Sequence, residues 1–288
     1  MASVTGALVV SPSLARKILD MLKRTLAAFV LALIGIPAVI VGGIYYFILI
    51  SVLLSIAAWE FGRIFRVAGY HASTYLLVGG VFFVLASRNF LPSLAPTVLT
   101  ICILAAMTWH LLDYEKGGDL SATDFAITVT GIVYLGWVGS YLIDLRNLDQ
   151  GVWWFFLVLS SVWLADSFAF FIGVRFGRHR LSPRLSPKKS WEGYMGGILF
   201  GTLGTAGLAV WWGTLGGPNV TWWQGIGLGA MLSILTTLGD LGESMIKRQA
   251  GVKDSSNIMP GHGGVFDRID SWLWGATIGY FIIIWFLL

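Results

Sequence analysis

Residues 151–173 read GVWWFFLVLSSVWLADSFAFFIG and carry a single charged side chain, that of Asp166. A helix of about 20 apolar residues is long enough to cross the ~30 Å hydrocarbon core of a bilayer. The whole chain has the same character, since 56% of its 288 residues are hydrophobic, only 12% are charged and the mean hydropathy is +0.78. This composition is too apolar for a soluble domain and predicts an all-α polytopic membrane protein.

The apolar runs on either side of this segment predict about nine transmembrane helices. Their approximate limits are residues 24–41, 43–66, 73–88, 92–112, 122–145, 151–173, 191–213, 221–246 and 268–287. The third run is short and contains Gly79 and Gly80, so eight and ten helices stay open as alternatives. We predict that residues 24–288 form one integral membrane domain.

The basic residues give an independent test of the orientation. If the N-terminus is cytoplasmic, all but two of the 19 Lys and Arg residues fall on the cytoplasmic side, the exceptions being Arg88 and Arg146. An excess of Lys and Arg is typical of cytoplasmic loops. The sequence therefore predicts a cytoplasmic N-terminus, a C-terminus on the opposite side, and two large cytoplasmic loops at residues 175–190 and 247–267.

The basic segment at the N-terminus precedes an apolar run that could be a signal peptide. The run starts at Leu26 and continues past Ile40 without a small-residue cleavage site, which favours an uncleaved first helix. Residues 1–23 are predicted to be a cytoplasmic segment. An interfacial helix with an apolar face is one interpretation of this segment, and a frayed tail is the other.

Glycines recur every four residues in two of the predicted spans. They are Gly193, Gly197 and Gly201 in the seventh span, and Gly225 and Gly229 in the eighth. Small residues at this spacing allow helices to approach closely inside a membrane. We expect these two spans to lie in the interior of the bundle.

Acidic residues inside the apolar runs are the strongest chemical signal. Asp166 lies in the sixth span, and Asp240 and Glu243 lie near the cytoplasmic end of the eighth. Ionisable residues within membrane segments are costly and mark functional sites by default. For Asp166 and Asp240 no basic partner is evident on the same helix, so the functional interpretation is favoured, and a polar site near the cytoplasmic face is predicted.

Two other acids have good structural interpretations. Glu243 precedes Lys247 by four residues, which is the favourable order for a Glu–Lys pair on one helix. Glu60 lies near the cytoplasmic end of the second span, where it is either a further wall of the site or an interfacial charge. The lone cysteine, Cys102, excludes an intrachain disulfide and a cysteine-based zinc cluster.

The two large loops lie on the same side as the embedded acids. One reads RFGRHRLSPRLSPKKS over residues 175–190, and the other ends in PGHGGVFD over residues 260–267. Basic loops of this kind more often orient a membrane protein or contact anionic lipid than take part in catalysis. Their combination with embedded acids and a Gly/His turn favours a site for Mg²⁺ and phosphate, because Mg²⁺ binds one or two carboxylates together with phosphate oxygens.

The second loop and its flanks resemble the signature of the phosphatidate cytidylyltransferase family, also called CDP-diacylglycerol synthases. The matching residues are Ser244, Lys247, Arg248, Lys253, Asp254, Pro260, His262, Gly263, Gly264, Asp267, Arg268 and Asp270. The stretches GDLGES, ADS and FGRHRLSPRLSPKKSWEG are also similar to that family, so the resemblance is dense over residues 160–270. It extends to the N-terminal half only through hydropathy. Met259 and Phe170 depart from the family pattern and put little in doubt beyond local packing.

This resemblance implies that CTP and phosphatidate react to give CDP-diacylglycerol and pyrophosphate, with Mg²⁺ as cofactor and a second cation left open. It implies that Asp240 and Asp267 hold the metal, that Asp166 is a further ligand or supports the metal through water, and that His262 belongs with them to the catalytic residues. The residues expected to bind substrate phosphates are Lys188, Lys189, Lys247, Arg248, Lys253, Arg268, Gly263 and Gly264. The implied setting is a bacterial inner membrane, with lipids as partners, no nucleic acid, and a homodimer suggested by the family.

Three alternative functions stand beside this interpretation. A CTP-dependent transferase acting on an isoprenoid ether lipid would share the site and differ only in its lipid cavity. An ion-coupled transporter would use Asp166 and Asp240 as coupling acids, but leaves the PGHGG loop unexplained. A CDP-alcohol phosphotransferase would need a dense aspartate pattern on adjacent helical turns, which this sequence lacks.

Overall fold

The computed structural model of the chain describes Phe29, residues 32–259 and residues 263–288. The predicted N-terminal segment, residues 1–23, and His262 lie outside the described residues. The described chain is almost entirely helical, which confirms the all-α class. The described residues form ten α-helices and two short strands.

Most of the elements follow one another along the chain with short connections, and a longer one separates α9 from α10. In order they are α1 (Ala32–Val41), α2 (Gly43–Val67), α3 (Thr74–Phe90), α4 (Ala95–Glu115), α5 (Ser121–Gly131), α6 (Tyr141–Asn147), α7 (Gly151–Phe176), β1 (Arg180–Ser182), β2 (Ser186–Ser190), α8 (Trp191–Thr214), α9 (Trp222–Gln249) and α10 (Phe266–Ile282). A 3₁₀ turn, Pro92–Leu94, precedes α4, and π-helical turns, Ile132–Val138 and Ile283–Leu287, follow α5 and α10.

Within the described part of the chain, seven helical segments are long and apolar enough to cross a membrane. They are Gly43–Val67, Pro92–Glu115, Ser121–Asn147, Gly151–Phe176, Trp191–Thr214, Trp222–Gln249 and Phe266–Leu287. The helices α1 and α3 are apolar but shorter. The chain is therefore an integral membrane protein, and each predicted span coincides with a helix wherever its residues are described. The count of nine crossings and the orientation stay predictions.

The helix limits follow from local sequence. At the start of α8 the Ser190 hydroxyl accepts a hydrogen bond from the backbone N–H of Gly193 at 3.2 Å. At the start of α9, Thr221 and Gln224 cap each other reciprocally. Such side-chain caps satisfy N–H groups that have no partner inside the helix. The break between α1 and α2 uses Gly42, whose φ of 70° is favourable only for glycine among the common residues.

Glycines bring α7, α8 and α9 into close contact, as their spacing predicts. A Cβ atom at Gly197 would lie 2.7 Å from the carbonyl oxygen of Ala165 in α7, and one at Gly229 would lie 2.9 Å from that of Thr202 in α8. Neither distance is possible for a real side chain. The backbones therefore pack directly against each other, and this arrangement holds the acids of α7 and α9 in one part of the bundle.

The two basic residues predicted to lie outside are both engaged in the fold. Arg88 forms an ion pair with Asp144 and lies over the ring of Trp137. Arg146 donates from Nη2 to the carbonyl oxygen of Ile40 at 3.1 Å, at the C-terminal end of α1. Basic side chains commonly satisfy the last carbonyl groups of a helix. Arg146 thus ties the short helix α1 to α6.

The loop predicted at residues 175–190 is more ordered than its sequence suggests. Helix α7 continues to Phe176, and β1 and β2 form an antiparallel hairpin in which Arg180 pairs with Ser190. Glu192 at the start of α8 fixes the turn before the hairpin, because its carboxylate accepts hydrogen bonds from the N–H groups of Arg178 and His179. The strands are too short for an alternating pattern, so the sequence indicated only a loop with two Ser-Pro turns.

The predicted orientation can be tested by introducing single cysteines into a Cys102→Ala background. We expect Arg184→Cys in the hairpin and Asn257→Cys in the second loop to be protected from a membrane-impermeant thiol reagent in intact cells and labelled after lysis. Asn219→Cys, between α8 and α9, should be labelled in both cases. All three positions are exposed, so access rather than burial decides the result. Labelling of Asn257→Cys in intact cells would contradict the orientation.

Candidate active site

A cavity of about 720 Å³ lies between α1, α2, α7, α9 and α10. One part of it has apolar walls, which include Ile36, Val39, Ile50, Leu53, Phe155, Phe156 and Leu159. The other part is lined by charged side chains, namely Asp166, Asp240, Glu243, Lys247, Asp254, Asp267, Arg268 and Asp270. The cavity is therefore amphipathic, and we call its charged part the polar end.

The cationic partner of Asp240 is a lysine on a different element of the chain. The Lys189 Nζ atom, on strand β2, lies 2.6 Å from Asp240 Oδ2. The Ser244 hydroxyl, one turn further along α9, donates to Asp240 Oδ1 at 3.3 Å. The sequence indicated no basic partner for Asp240, because the hairpin that supplies Lys189 is distant along the chain.

A second lysine at the polar end serves two carboxylates. The Lys247 Nζ atom lies 2.6 Å from Glu243 Oε2 and 2.6 Å from Asp267 Oδ1. The predicted Glu243–Lys247 pair is therefore confirmed. Lys247 is buried, and its ammonium joins α9 to the first turn of α10. Buried charges need such partners, since leaving one of them unpaired is strongly destabilising.

Asp267 lies within hydrogen-bonding distance of four donor groups. While Oδ1 accepts from Lys247, Oδ2 accepts from the Ser255 N–H at 2.9 Å, the Ser255 hydroxyl at 2.9 Å and the Gly264 N–H at 2.8 Å. A carboxylate offers about four lone-pair sites. Asp267 therefore fixes the segments on both sides of residues 260–262.

The predicted glycine turn does allow the backbone to approach an anion. A Cβ atom at Gly264 would lie 2.0 Å from the Ser255 hydroxyl oxygen, and one at Gly263, whose φ is 84°, would lie 2.7 Å from Asp267 Oδ2. The anion approached in this structure is the chain's own carboxylate rather than a phosphate. The expected phosphate contact from the Gly264 N–H would require it to leave Asp267.

Asp166 and Asp270 complete the acidic side of the polar end. Both interact electrostatically with Asp240, and Asp166 also interacts with Lys189. Asp270 is 8% exposed, and its Oδ1 accepts from the Ser271 N–H at 2.6 Å. We did not predict Asp270 as a site residue, although its position three residues after Asp267 places both on one face of α10.

The carboxylates have the chemistry to bind Mg²⁺, but they do not form a complete set of protein ligands among the described residues. Among the described residues, no three His, Cys, Asp or Glu side chains lie close enough together to hold a metal ion by themselves. Mg²⁺ does not need such a cage, because one or two carboxylates and the oxygens of substrate phosphates and water suffice. Asp240, with Asp166 and Asp270 nearby, meets this requirement. Asp267 meets it only after releasing Lys247.

The basic residues of the two loops differ in their partners and in their exposure. Lys189 and Lys247 are paired at the polar end, and Arg268 lines it. Lys188 and Lys253 are exposed. Arg248 donates to the carbonyl oxygens of Leu185 and Val252, so it joins α9 to the hairpin and to the second loop.

Glu60 has a position that neither of its sequence interpretations foresaw. It is fully buried and belongs neither to the cavity wall nor to the interface, since both oxygens of its carboxylate accept hydrogen bonds from the residues around the start of α10. The residues around Glu60 on α2 gave no signal for this partnership. Only the fold brings Glu60 and α10 together.

The two neighbouring lysines of β2 provide a matched pair of variants. We expect Lys189→Ala to lower turnover at least tenfold, because it removes the cation paired with Asp240 at the polar end. Lys188→Ala removes an exposed cation that does not line the cavity, so its predicted phosphate contact should affect mainly KM and its turnover should change less than threefold. The measurement is kcat and KM of the two purified variants. Equal losses in both variants, or no loss in Lys189→Ala, would contradict this assignment.

Comparisons with known proteins agree with one another. A family model described as "Cytidylyltransferase family" matches residues 22–286. The phosphatidate cytidylyltransferase of Bacillus subtilis (strain 168) is 30% identical over 267 residues, which are 92% of this chain and 98% of that protein. The phosphatidate cytidylyltransferase of Pseudomonas aeruginosa is 34% identical over 259 residues, or 86% and 92%. That of Thermotoga maritima is 36% identical over 185 residues, or 64% and 68%.

Proposed function

The chain belongs to the cytidylyltransferase family, and from this premise and the polar end of the cavity we propose how it transfers a cytidylyl group from CTP to phosphatidate. The products are CDP-diacylglycerol and pyrophosphate. The observation that carries the proposal is an amphipathic cavity in which two lysines and several carboxylates lie at the end of apolar walls.

The cavity matches a lipid phosphate in both of its parts. Ile36, Ile50 and Phe155 belong to its apolar walls and can contact acyl chains. Lys247 and Arg268 lie at the polar end, where the phosphate of the same lipid would be placed. Ligand cavities usually combine apolar walls with a few polar groups that fix orientation.

The reaction needs positioning more than a strong base. A phosphate monoester has its second pKa near 6 and is largely dianionic at neutral pH, so the lipid can attack without losing a proton to the protein. Two anions must instead meet in line at the α-phosphorus of CTP. Lys189, Lys247 and Arg268 lower their repulsion and orient them, which is the dominant contribution in phosphoryl transfer.

Asp240 and Asp267 are the residues that would hold Mg²⁺, with Asp166 as a further ligand. A bound Mg²⁺ neutralises negative charge on the phosphates. Both of these carboxylates are paired here with a lysine that is itself expected to contact phosphate, Asp240 with Lys189 and Asp267 with Lys247. We infer that the lysines leave the carboxylates and turn to phosphate oxygens when the substrates bind.

The membrane, the orientation, the oligomeric state and the roles of two further residues belong to the same proposal. Curated relatives come from bacteria, which supports a location in the inner membrane with the polar end at the cytoplasmic face, where CTP is available. A homodimer is proposed from the family resemblance alone. His262 remains a predicted catalytic residue and Lys253 a predicted phosphate contact.

The purified chain, incubated with Mg²⁺, phosphatidate and CTP, provides the direct test. Label at the α-phosphorus of CTP should enter the lipid, and label at the γ-phosphorus should enter pyrophosphate. An isoprenoid ether lipid phosphate serves as the competing acceptor, and we expect phosphatidate to be preferred. Transfer to the ether lipid alone, or no transfer to either lipid by folded protein, would contradict the proposal.

The carboxylates can be tested without relying on turnover. We expect Asp240→Asn and Asp267→Asn to abolish cytidylyl transfer, because each keeps the size of the side chain and removes the charge that would hold Mg²⁺. Mg²⁺ with CTP should raise the melting temperature of the unaltered chain by mass action. The rise should be much smaller in either variant.

The melting temperature measured without ligands distinguishes two roles for Asp267, one as a metal ligand and one as a hydrogen-bond acceptor within the fold. If Asp267 serves only to hold its four donors, Asp267→Asn should melt earlier without ligands yet keep the full shift with Mg²⁺ and CTP, and the metal assignment would be wrong. Asp149→Asn, which alters an exposed acid between α6 and α7, is the control and should behave like the unaltered chain.

A further inference from the structure

Glu60 is a charged residue in an apolar helix. It lies near the end of α2, its exposed fraction is 0%, and its neighbour Phe61 packs edge-on against Phe266 of α10. An acid in such surroundings is costly unless its oxygens are hydrogen-bonded. The hydrogen-bond partners of Glu60 therefore indicate its role.

Each oxygen of Glu60 accepts one backbone N–H and lies near one serine hydroxyl. Oε1 accepts from the Val265 N–H at 3.0 Å and from the Ser256 hydroxyl, while Oε2 accepts from the Phe266 N–H at 2.7 Å. The Ser255 hydroxyl lies 3.1 Å from Oε2, and its single proton is shared between Glu60 and Asp267. The carboxylate thus contacts the residues on both sides of the turn that precedes α10.

Glu60 also caps α10 from another helix. Val265 stands at the N-cap position and makes no side-chain cap of its own. The first N–H groups of a helix have no partner inside the helix, and a negative charge is favourable there. Glu60 supplies both an acceptor and the charge, so the position of the first turn of α10 depends on α2.

The network continues directly to the polar end. The Ser255 hydroxyl lies within hydrogen-bonding distance of both Glu60 Oε2 and Asp267 Oδ2. Arg63, one turn after Glu60 on α2, donates to the Ser255 carbonyl oxygen at 2.9 Å. A Cβ atom at Gly264 would lie 2.4 Å from Glu60 Oε1, so the backbone reaches Glu60 only through a glycine.

We propose that Glu60 is a positioning residue for cytidylyl transfer, which sets the start of α10 and thereby the place of Asp267 at the polar end. This proposal rests on the proposed function for its kinetic consequences. Glu60 does not line the cavity, so it acts through Ser255, Val265 and Phe266 rather than on a substrate. We call these four residues the α2–α10 clasp.

Glu60→Gln is the sharpest substitution. The amide nitrogen of glutamine cannot accept a hydrogen bond, so in either orientation one of the two backbone N–H groups, that of Val265 or of Phe266, loses its acceptor. We expect amide hydrogen exchange over residues 263–268 to accelerate at least tenfold, with the other helices unchanged. We expect kcat to fall at least tenfold, the Mg²⁺ concentration for half-maximal rate to rise, and the KM for phosphatidate to change less than twofold.

Two serines keep the test valid if Glu60→Gln folds poorly. Ser255→Ala removes the hydroxyl that reaches both carboxylates, whereas Ser256→Ala removes a hydroxyl that reaches Glu60 but not Asp267 and that also accepts from the Ile258 N–H at 3.1 Å. We expect the larger loss of kcat and of exchange protection in Ser255→Ala. Ser51→Ala is the control on α2, because its buried hydroxyl has no hydrogen-bond partner among the described residues.

The measurements are exchange by mass spectrometry and steady-state kinetics on the full-length chain in nanodiscs. Unchanged exchange over residues 263–268 in Glu60→Gln, or faster exchange with unaltered kcat and Mg²⁺ dependence, would overturn the positioning role. A uniform rise in exchange across all helices would also overturn it, since it would mark a merely structural residue. If the unaltered chain transferred no cytidylyl group, the proposed function would fail, while the exchange data would still decide whether the clasp exists.

Discussion

Charges inside an apolar helical bundle must be paired, and the polar end is built around this requirement. Lys247 is buried between Glu243 and Asp267, and Asp240 is paired with Lys189. Breaking a buried ion pair such as Lys247–Asp267 by removing one partner typically costs about 3–5 kcal/mol. Two of the pairs also join separate elements, since Lys247–Asp267 connects α9 to α10 and the more exposed Lys189–Asp240 connects the hairpin to α9.

The same requirement connects stability to function. In the proposed mechanism, the lysines that neutralise carboxylates in the ligand-free chain are cations already located where phosphates would bind, and the carboxylates that they release would hold Mg²⁺. Electrostatic stabilisation is most effective when its charges are positioned before the reaction. The close packing at Gly197 and Gly229 holds α7, α8 and α9 together, and the hydrogen bonds of Glu60 hold the start of α10. These contacts position the charged side chains of the polar end.

The sequence predicted the features that depend on composition and short spacing. Apolar runs gave the all-α membrane fold, the Gly-xxx-Gly spacing gave the contact of α8 with its neighbours, and the spacing of four residues gave the Glu243–Lys247 pair. It could not give contacts between distant segments. Lys189 as the partner of Asp240 and Glu60 as the cap of α10 arise from packing, and the hairpin β1–β2 is too short for a periodic signal.

A structure of the chain with CTP and Mg²⁺ bound would measure the distance that matters most, between Lys189 Nζ and Asp240 Oδ2. This distance is 2.6 Å in the ligand-free chain. The account predicts that it lengthens beyond hydrogen-bonding range, with Lys189 on a phosphate oxygen and Asp240 on the metal. An intact Lys189–Asp240 pair, with the triphosphate and metal bound elsewhere, would contradict the account.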